Sequence, residues 1–205
     1  MPALAFIAAL VGWLNRSKLA GTPWWSFPLY LLVISSLDFI GGKIPKSMNV
    51  AYYTYFVNVV EGCYYPVLFY QLSTISSHKK MLKYLLYLLL GSYVFVGWWF
   101  AHDSALTGII YGNNNLVLIF AVVIFYYIEL FQSDNLLTFT KDMRFWVSVG
   151  LILYYLFTFP YWSFRFLMQD PDFQYGKLFF YLALGLDYLM YLLFSIGFLC
   201  MSKRS

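Results

Sequence analysis

A chain of 205 residues that is 62% hydrophobic, 23% aromatic and only 11% charged, with mean hydropathy +0.69, lacks the composition of a water-facing globule. Soluble domains carry about 25% charged residues; the deficit leaves too few charges for an aqueous exterior, whereas contact with lipid tolerates it. The net charge of +4 is no nucleic-acid footprint, because the basic residues fall in breaks between apolar runs rather than on one face.

Taken in chain order, the apolar runs predict seven helices: residues 2–14, 24–40, 48–71, 82–101, 109–131, 145–168 and 178–201. A hydrocarbon core of roughly 30 Å takes about 20 residues of helix, and the last five runs reach that length. The first is short: at 1.5 Å per residue, 14 residues span about 21 Å. No Lys or Arg precedes it and no small-residue cleavage site follows, so it reads as a short span rather than a signal peptide. A partly interfacial helix and a start further upstream are the alternatives. The breaks carry turn and helix-stop chemistry. They are Asn15-Arg16-Ser17-Lys18, Gly41-Gly42-Lys43 with Pro45, Ser76 to Lys80, Ser133-Asp134-Asn135 with Lys141-Asp142, and Asp170-Pro171-Asp172. Asn113-Asn114-Asn115 reads as a polar cluster close to the start of the fifth helix. No break has room for a soluble domain. The expectation is an all-α polytopic transmembrane bundle of about seven spans, with residues 1–205 forming one domain.

Lys and Arg in short loops mark the cytoplasmic side. Alternate breaks hold Arg16, Lys18, Lys79, Lys80, Lys83, Lys141, Arg144, Lys203 and Arg204 on one side, against Lys43, Lys46, Arg165 and Lys177 on the other. The richer side is placed in the cytoplasm, with the N-terminus outside and the C-terminus inside. Trp24, Trp25, Trp98, Trp99, Trp146 and Trp162 lie toward helix ends, where interfacial belts form.

An ionisable group at the centre of a spanning helix costs at least ~2.5–3.5 kcal/mol and marks a functional candidate. Asp38, Glu61, Glu129 and Asp187 lie within the runs. Glu61 and Asp187 fall near mid-membrane and must face a cavity or hold a proton. Asp38 falls near the outer end of its helix and Glu129 near an inner end, from which it can reach Arg144 or Lys141. Thr54, Asn58, Glu61 and Tyr65 share one helical face at i, i+4, i+7 and i+11, and Tyr154, Thr158, Tyr161 and Arg165 share another. The pocket predicted from these patterns comprises Thr54, Asn58, Glu61, Asp187, Tyr154 and Thr158, and Asp38 with Arg165 forms a candidate buried ion pair. Interhelical glue, at about 0.6 kcal/mol per bond, is the structural alternative for such stripes. The Thr54 hydroxyl has a further option in its own helix backbone. Pro66 and Pro160 are expected to kink their helices beside the stripes. Cys63 and Cys200 read as buried thiols, His78 and His102 as loop residues, and no metal or cofactor motif is present.

Three segments carry a resemblance. They are Ser35-Ser36-Leu37-Asp38 followed by a Gly/Lys loop, Asn58-Val59-Val60-Glu61, and Arg144-Phe145-Trp146-Val147 with Gly150-Leu151-Ile152-Leu153-Tyr154-Tyr155. In these the chain resembles a family of uncharacterised seven-span inner-membrane proteins of Bacteroidota. The resemblance implies an integral protein of the bacterial inner (cytoplasmic) membrane with a link to sensor-kinase signalling. No kinase or other output domain fits before Ser205, so a sensor of this kind would act through a membrane partner or a second copy of itself.

Other seven-span classes fit less well. Retinal binding needs a lysine midway along the last helix, and Lys177 stands at its start. DRY-like and NPxxY signatures, a proline–glutamine transporter motif, HExxH and a GxSx serine motif are missing. Three functions follow in order of preference. The first is a sensor or accessory subunit. The second is a small-solute or proton-coupled transporter using Glu61 and Asp187. The third is a lipid-modifying enzyme using the same two carboxyls as acid and base.

Overall fold

A computed structural model describes residues 2–100, 102–163 and 176–201, and among them there are helices and turns but no strand. Hydrocarbon offers no water to backbone N–H and C=O groups, and a helix pairs them within its own segment. The order is α1 (Pro2–Leu14), α2 (Arg16–Leu19), a 3-10 turn (Pro23–Ser26), α3 (Phe27–Gly41), α4 (Lys46–Tyr52), a π-helical turn (Tyr53–Val57) and α5 (Asn58–Leu72). Then come α6 (Ser76–Trp99), α7 (Ser104–Phe131), a 3-10 segment (Asp134–Lys141), α8 (Met143–Ser163) and α9 (Gly176–Cys200). Five stretches are long and apolar enough to cross a bilayer: Pro23–Gly41, Ser76–Trp99, Ser104–Phe131, Met143–Pro160 and Gly176–Cys200. This is the make-up of a membrane protein. Two of the seven expected spans stand apart from these five. Ala3–Leu14 is apolar but short. Residues 46–72 are helical throughout, but the π turn divides them into α4 of seven residues and α5 of 15.

Two helices begin more than one turn earlier than expected. Helix α6 starts at Ser76 rather than 82, so the polar run through Lys80 is its first turn and His78 is a helical residue, not a loop residue. Long basic side chains reach headgroups and water from a helix end, so charge there does not stop the helix. Helix α7 starts at Ser104 rather than 109, because the Asp103 side chain caps it, accepting from the Ala105 amide at 3.0 Å and the Leu106 amide at 2.9 Å. The asparagines 113–115 therefore lie more than two turns inside α7.

Around a ring, α3 packs on α1, α1 on α9, α9 on α8, α8 on α7 and α7 on α5, while the π turn touches α3 and closes the circuit. Helix α6 packs outside, against α5 and α7. Its Tyr84, Leu88, Val94 and Trp98 point out of the bundle. Small residues let α1 enter the ring: Ala5, Ala8 and Ala9 are fully buried, and Gly12 follows on the same face. A Cβ on Gly12 would fall 2.6 Å from the Phe198 ring and 2.7 Å from Pro28. Trp24 is packed inside the bundle, unlike the exposed Trp25, Trp98 and Trp99. Both cysteines are free thiols; Cys63 is half-buried, but Cys200 faces outward, contrary to expectation.

Candidate functional site

The ring encloses a cavity of about 290 Å³ in one half of the bundle. Its walls come from the C-terminal ends of α3 and α8 and the opening halves of segment 46–72, α7 and α9. Thr54, Asn58, Glu61, Asp187, Tyr154 and Thr158, brought from three separate helical segments, all line it, and so does Asp38. Arg165, the expected partner of Asp38, lies outside the described residues, as does that pair. Tyr65 shares the face of Glu61 but lies beyond the cavity, packed edge-on to Tyr30 with ring centres 5.3 Å apart.

The π turn sits at the cavity wall, a placement common for such turns at functional sites. It carries Tyr53, whose hydroxyl is in hydrogen-bonding reach of Asp38, and Thr54. Thr54 does not bond back to its own helix: it donates to the Ser104 carbonyl at 3.0 Å and ties the turn to α7. Thr158 is the residue that bonds back, donating to the Tyr154 carbonyl at 2.6 Å. Asn49 donates to the Gly41 carbonyl at 2.8 Å and Tyr52 to the Leu37 carbonyl at 2.9 Å, which straps α4 along its length to the end of α3.

The three carboxyl groups differ in their partners. Asp187 is 6% exposed, and its Oδ2 is buried with no hydrogen-bond partner among the described residues. Glu61 is half-buried and likewise makes no hydrogen bond among them. Asp38 and Asp187 are both close enough to Glu61 to act on it electrostatically. No Lys, Arg or His occurs among the described lining residues.

Asn115 of α7 was not anticipated. Expected close to the start of its helix, it lies deeper inside, is 2% exposed and holds the cavity wall together. Its amide donates to the Asn58 carbonyl at 2.8 Å, and its oxygen accepts from the Tyr93 hydroxyl. The Tyr111 hydroxyl donates to the Tyr93 carbonyl, joining α6 and α7. Gly62 makes this close approach possible, because a Cβ there would overlap both Tyr93 and Asn115. Asp103-Ser104 was the signal in the sequence: a helix capped there carries the asparagines inward.

Below the cavity the bundle is filled. The Tyr30 and Tyr64 rings stack 3.8 Å apart, and Phe69 meets Tyr126 edge-on at 6.2 Å. Past this plug lies a second polar cluster around Glu129, which is 8% exposed. Its carboxylate accepts from the Ser73 hydroxyl, the Thr74 amide at 3.2 Å and the Thr74 hydroxyl at 3.4 Å. His78 Nδ1 stands 3.1 Å away and Arg144 Nη1 3.8 Å away. Arg144 also pairs with Asp142 at 2.7 Å and covers the Tyr126 ring at 5.2 Å. Of the two cations expected near Glu129, Arg144 makes the contact; Ser73, Thr74 and His78 were not foreseen. The void at this end is about 10 Å³, the size of one water.

No group of three or more His, Cys, Asp or Glu side chains converges on a metal position among the described residues. What the cavity offers is hydrogen-bond acceptance and proton exchange by carboxyls, amides and phenols. The chain matches no protein-family model, no curated protein and no solved structure.

Proposed function

We propose that this is a seven-span protein of the bacterial inner membrane that holds a small polar solute in its cavity and passes that state to a membrane partner, as a sensor or accessory subunit. One observation carries the reading: Glu61 and Asp187 open from different helices into one void that ends at a filled aromatic plug. A dead-end cavity suits binding more directly than passage. Its volume stands at the lower end of ligand pockets, which run from about 300 to 1,000 Å³. The charge distribution supports an orientation with the cavity outward. Lys43, Lys46 and Lys177 stand at the cavity end, against Arg16, Lys18, Lys79, Lys80, Lys83, Lys141 and Arg144 at the other. The similarity to seven-span Bacteroidota proteins belongs to this same proposal.

A second reading, a small-solute or proton-coupled transporter, draws on a separate observation. The π turn and Pro66 interrupt regular hydrogen bonding on either side of Glu61, and discontinuous helices surround many transport sites.

Mild-detergent purification from native membranes, followed by mass spectrometry of what stays bound, tests the first reading. Gly112→Phe is the control. Gly112 lines the cavity and a Cβ there meets nothing within 4 Å, so a large side chain can fill the void without a clash at its root. The expected result is a retained small solute, absent from Gly112→Phe, together with a stoichiometric partner protein. A lone protein that moves the solute across proteoliposomes would replace this reading with transport. Equal retention by both forms would remove the cavity from the account.

A further inference from the structure

We infer that the occupant of the cavity is a small organic cation, an ammonium compound with an apolar body, whose charged group sits between Asp187 and Glu61. This rests on the reading that the cavity holds a solute, and it names the class of that solute.

The argument starts from Asp187. A carboxylate oxygen buried in a bundle without a hydrogen-bond donor is costly, and such groups are normally paired. Asp187 as a residue is 6% exposed and lines the cavity, so the void is the side from which a solute's donor approaches its carboxyl group. Glu61 adds a second acceptor without a donor among the described residues, and the Asn115 and Asn58 side chains lie on the same wall. Asp38 stands farther out, at the end of α3, so an entering solute meets acidic groups along its path. Carboxylates within low-dielectric walls concentrate positive charge.

The remaining walls say what carries that charge. Five aromatic residues, Tyr154, Tyr155, Phe159, Phe180 and Tyr191, line the void. Aromatic faces attract cations and also accept apolar bodies. A bare metal ion needs several oxygen ligands converging on one point. Among the described residues no three metal-binding side chains converge, although three carboxylates line the cavity. Spread carboxylates, ring walls and about 290 Å³ of space fit an ammonium group with a carbon body better than an inorganic ion.

The test uses purified full-length protein in lipid nanodiscs and three probes of nearly one shape: 2-phenylethylammonium, 2-phenylethanol and 3-phenylpropionate. Binding is read by isothermal titration and by the shift of the unfolding midpoint. The expected result is binding of the ammonium probe alone, weakened at least tenfold in Asp187→Asn, weakened less in Glu61→Gln, and abolished in Gly112→Phe. Both carboxamide variants keep shape and are checked for a monodisperse, folded state. If alcohol and ammonium bind equally and Gly112→Phe abolishes both, the cavity holds a solute but the cationic class is overturned. Ammonium binding that survives in both carboxamide variants also overturns it, as does failure of the ammonium probe to bind at all. The solute-binding reading itself is judged separately, by what native membranes leave in the cavity.

Discussion

Two carboxyl-bearing regions lie in the same bundle, one in each half, and the difference between them separates structure from function. Around Glu129 the fold supplies Ser73, Thr74, His78 and Arg144 from α6, α8 and the connection after α5, and the packing leaves room for one water. Around Asp187 and Glu61 the fold supplies walls but no donor among the described residues, and leaves about 290 Å³ open. A carboxylate whose oxygens are met by protein groups holds helices together. One that faces an open volume without protein donors leaves its bonding to whatever enters.

The largest effect that would break this contrast is Glu129→Ala. It removes the acceptor common to four residues and leaves buried donors unmet. Breaking a buried pair of this kind costs about 3–5 kcal/mol, and the retained Asp142–Arg144 pair points to the lower figure. Unfolding in mixed detergent micelles should show it, and a loss below about 1 kcal/mol would mean the cluster is not structural. Next comes Gly62→Ala. The added methyl meets Tyr93 and Asn115, and overpacking of this sort costs about 1–3 kcal/mol. The same unfolding measurement applies, with an additional expected loss of solute retention because this contact forms the cavity wall. Asn115→Ala should cost less, about 1 kcal/mol, since bonds between helices in membranes average about 0.6 kcal/mol and two are lost. Asp187→Asn should have the smallest effect on stability, within about 0.5 kcal/mol of the parent or slightly stabilising, because no protein hydrogen bond to Oδ2 is lost. A loss of 2 kcal/mol there would assign Asp187 to the scaffold and erase the contrast.

Much of this was legible along the chain. The stripe in the expected helix 48–71 brought Thr54, Asn58 and Glu61 to one face, and that face does open on the cavity. Periodicity near 100° per residue is a local property, and it survives the π turn over this short distance. Tyr65, one turn further along, falls into the core because the plug begins there. Asn115 and His78 were misplaced for a shared reason. Each polar cluster was set too near a helix limit: residues 113–115 lie more than two turns inside α7, and residues 76–80 are the first turn of α6 rather than the break before it. Hydropathy cannot tell a polar group that ends a helix from one buried between helices. The cap at Asp103 distinguishes them.

The sequence by itself determined the class of the protein, the approximate helices and which faces carry polar groups. Those follow from hydropathy and helical period, which act over a few residues. Tertiary structure alone decided that Ser73, Thr74 and His78 join Arg144 at Glu129 while Asp187 Oδ2 is left without a donor among the described residues. Ser73 and Glu129 are 56 positions apart, and no local pattern relates them. The size of the cavity was decided in the same way, because it is the space left once α3, α7, α8, α9 and the 46–72 segment have packed as closely as their side chains allow.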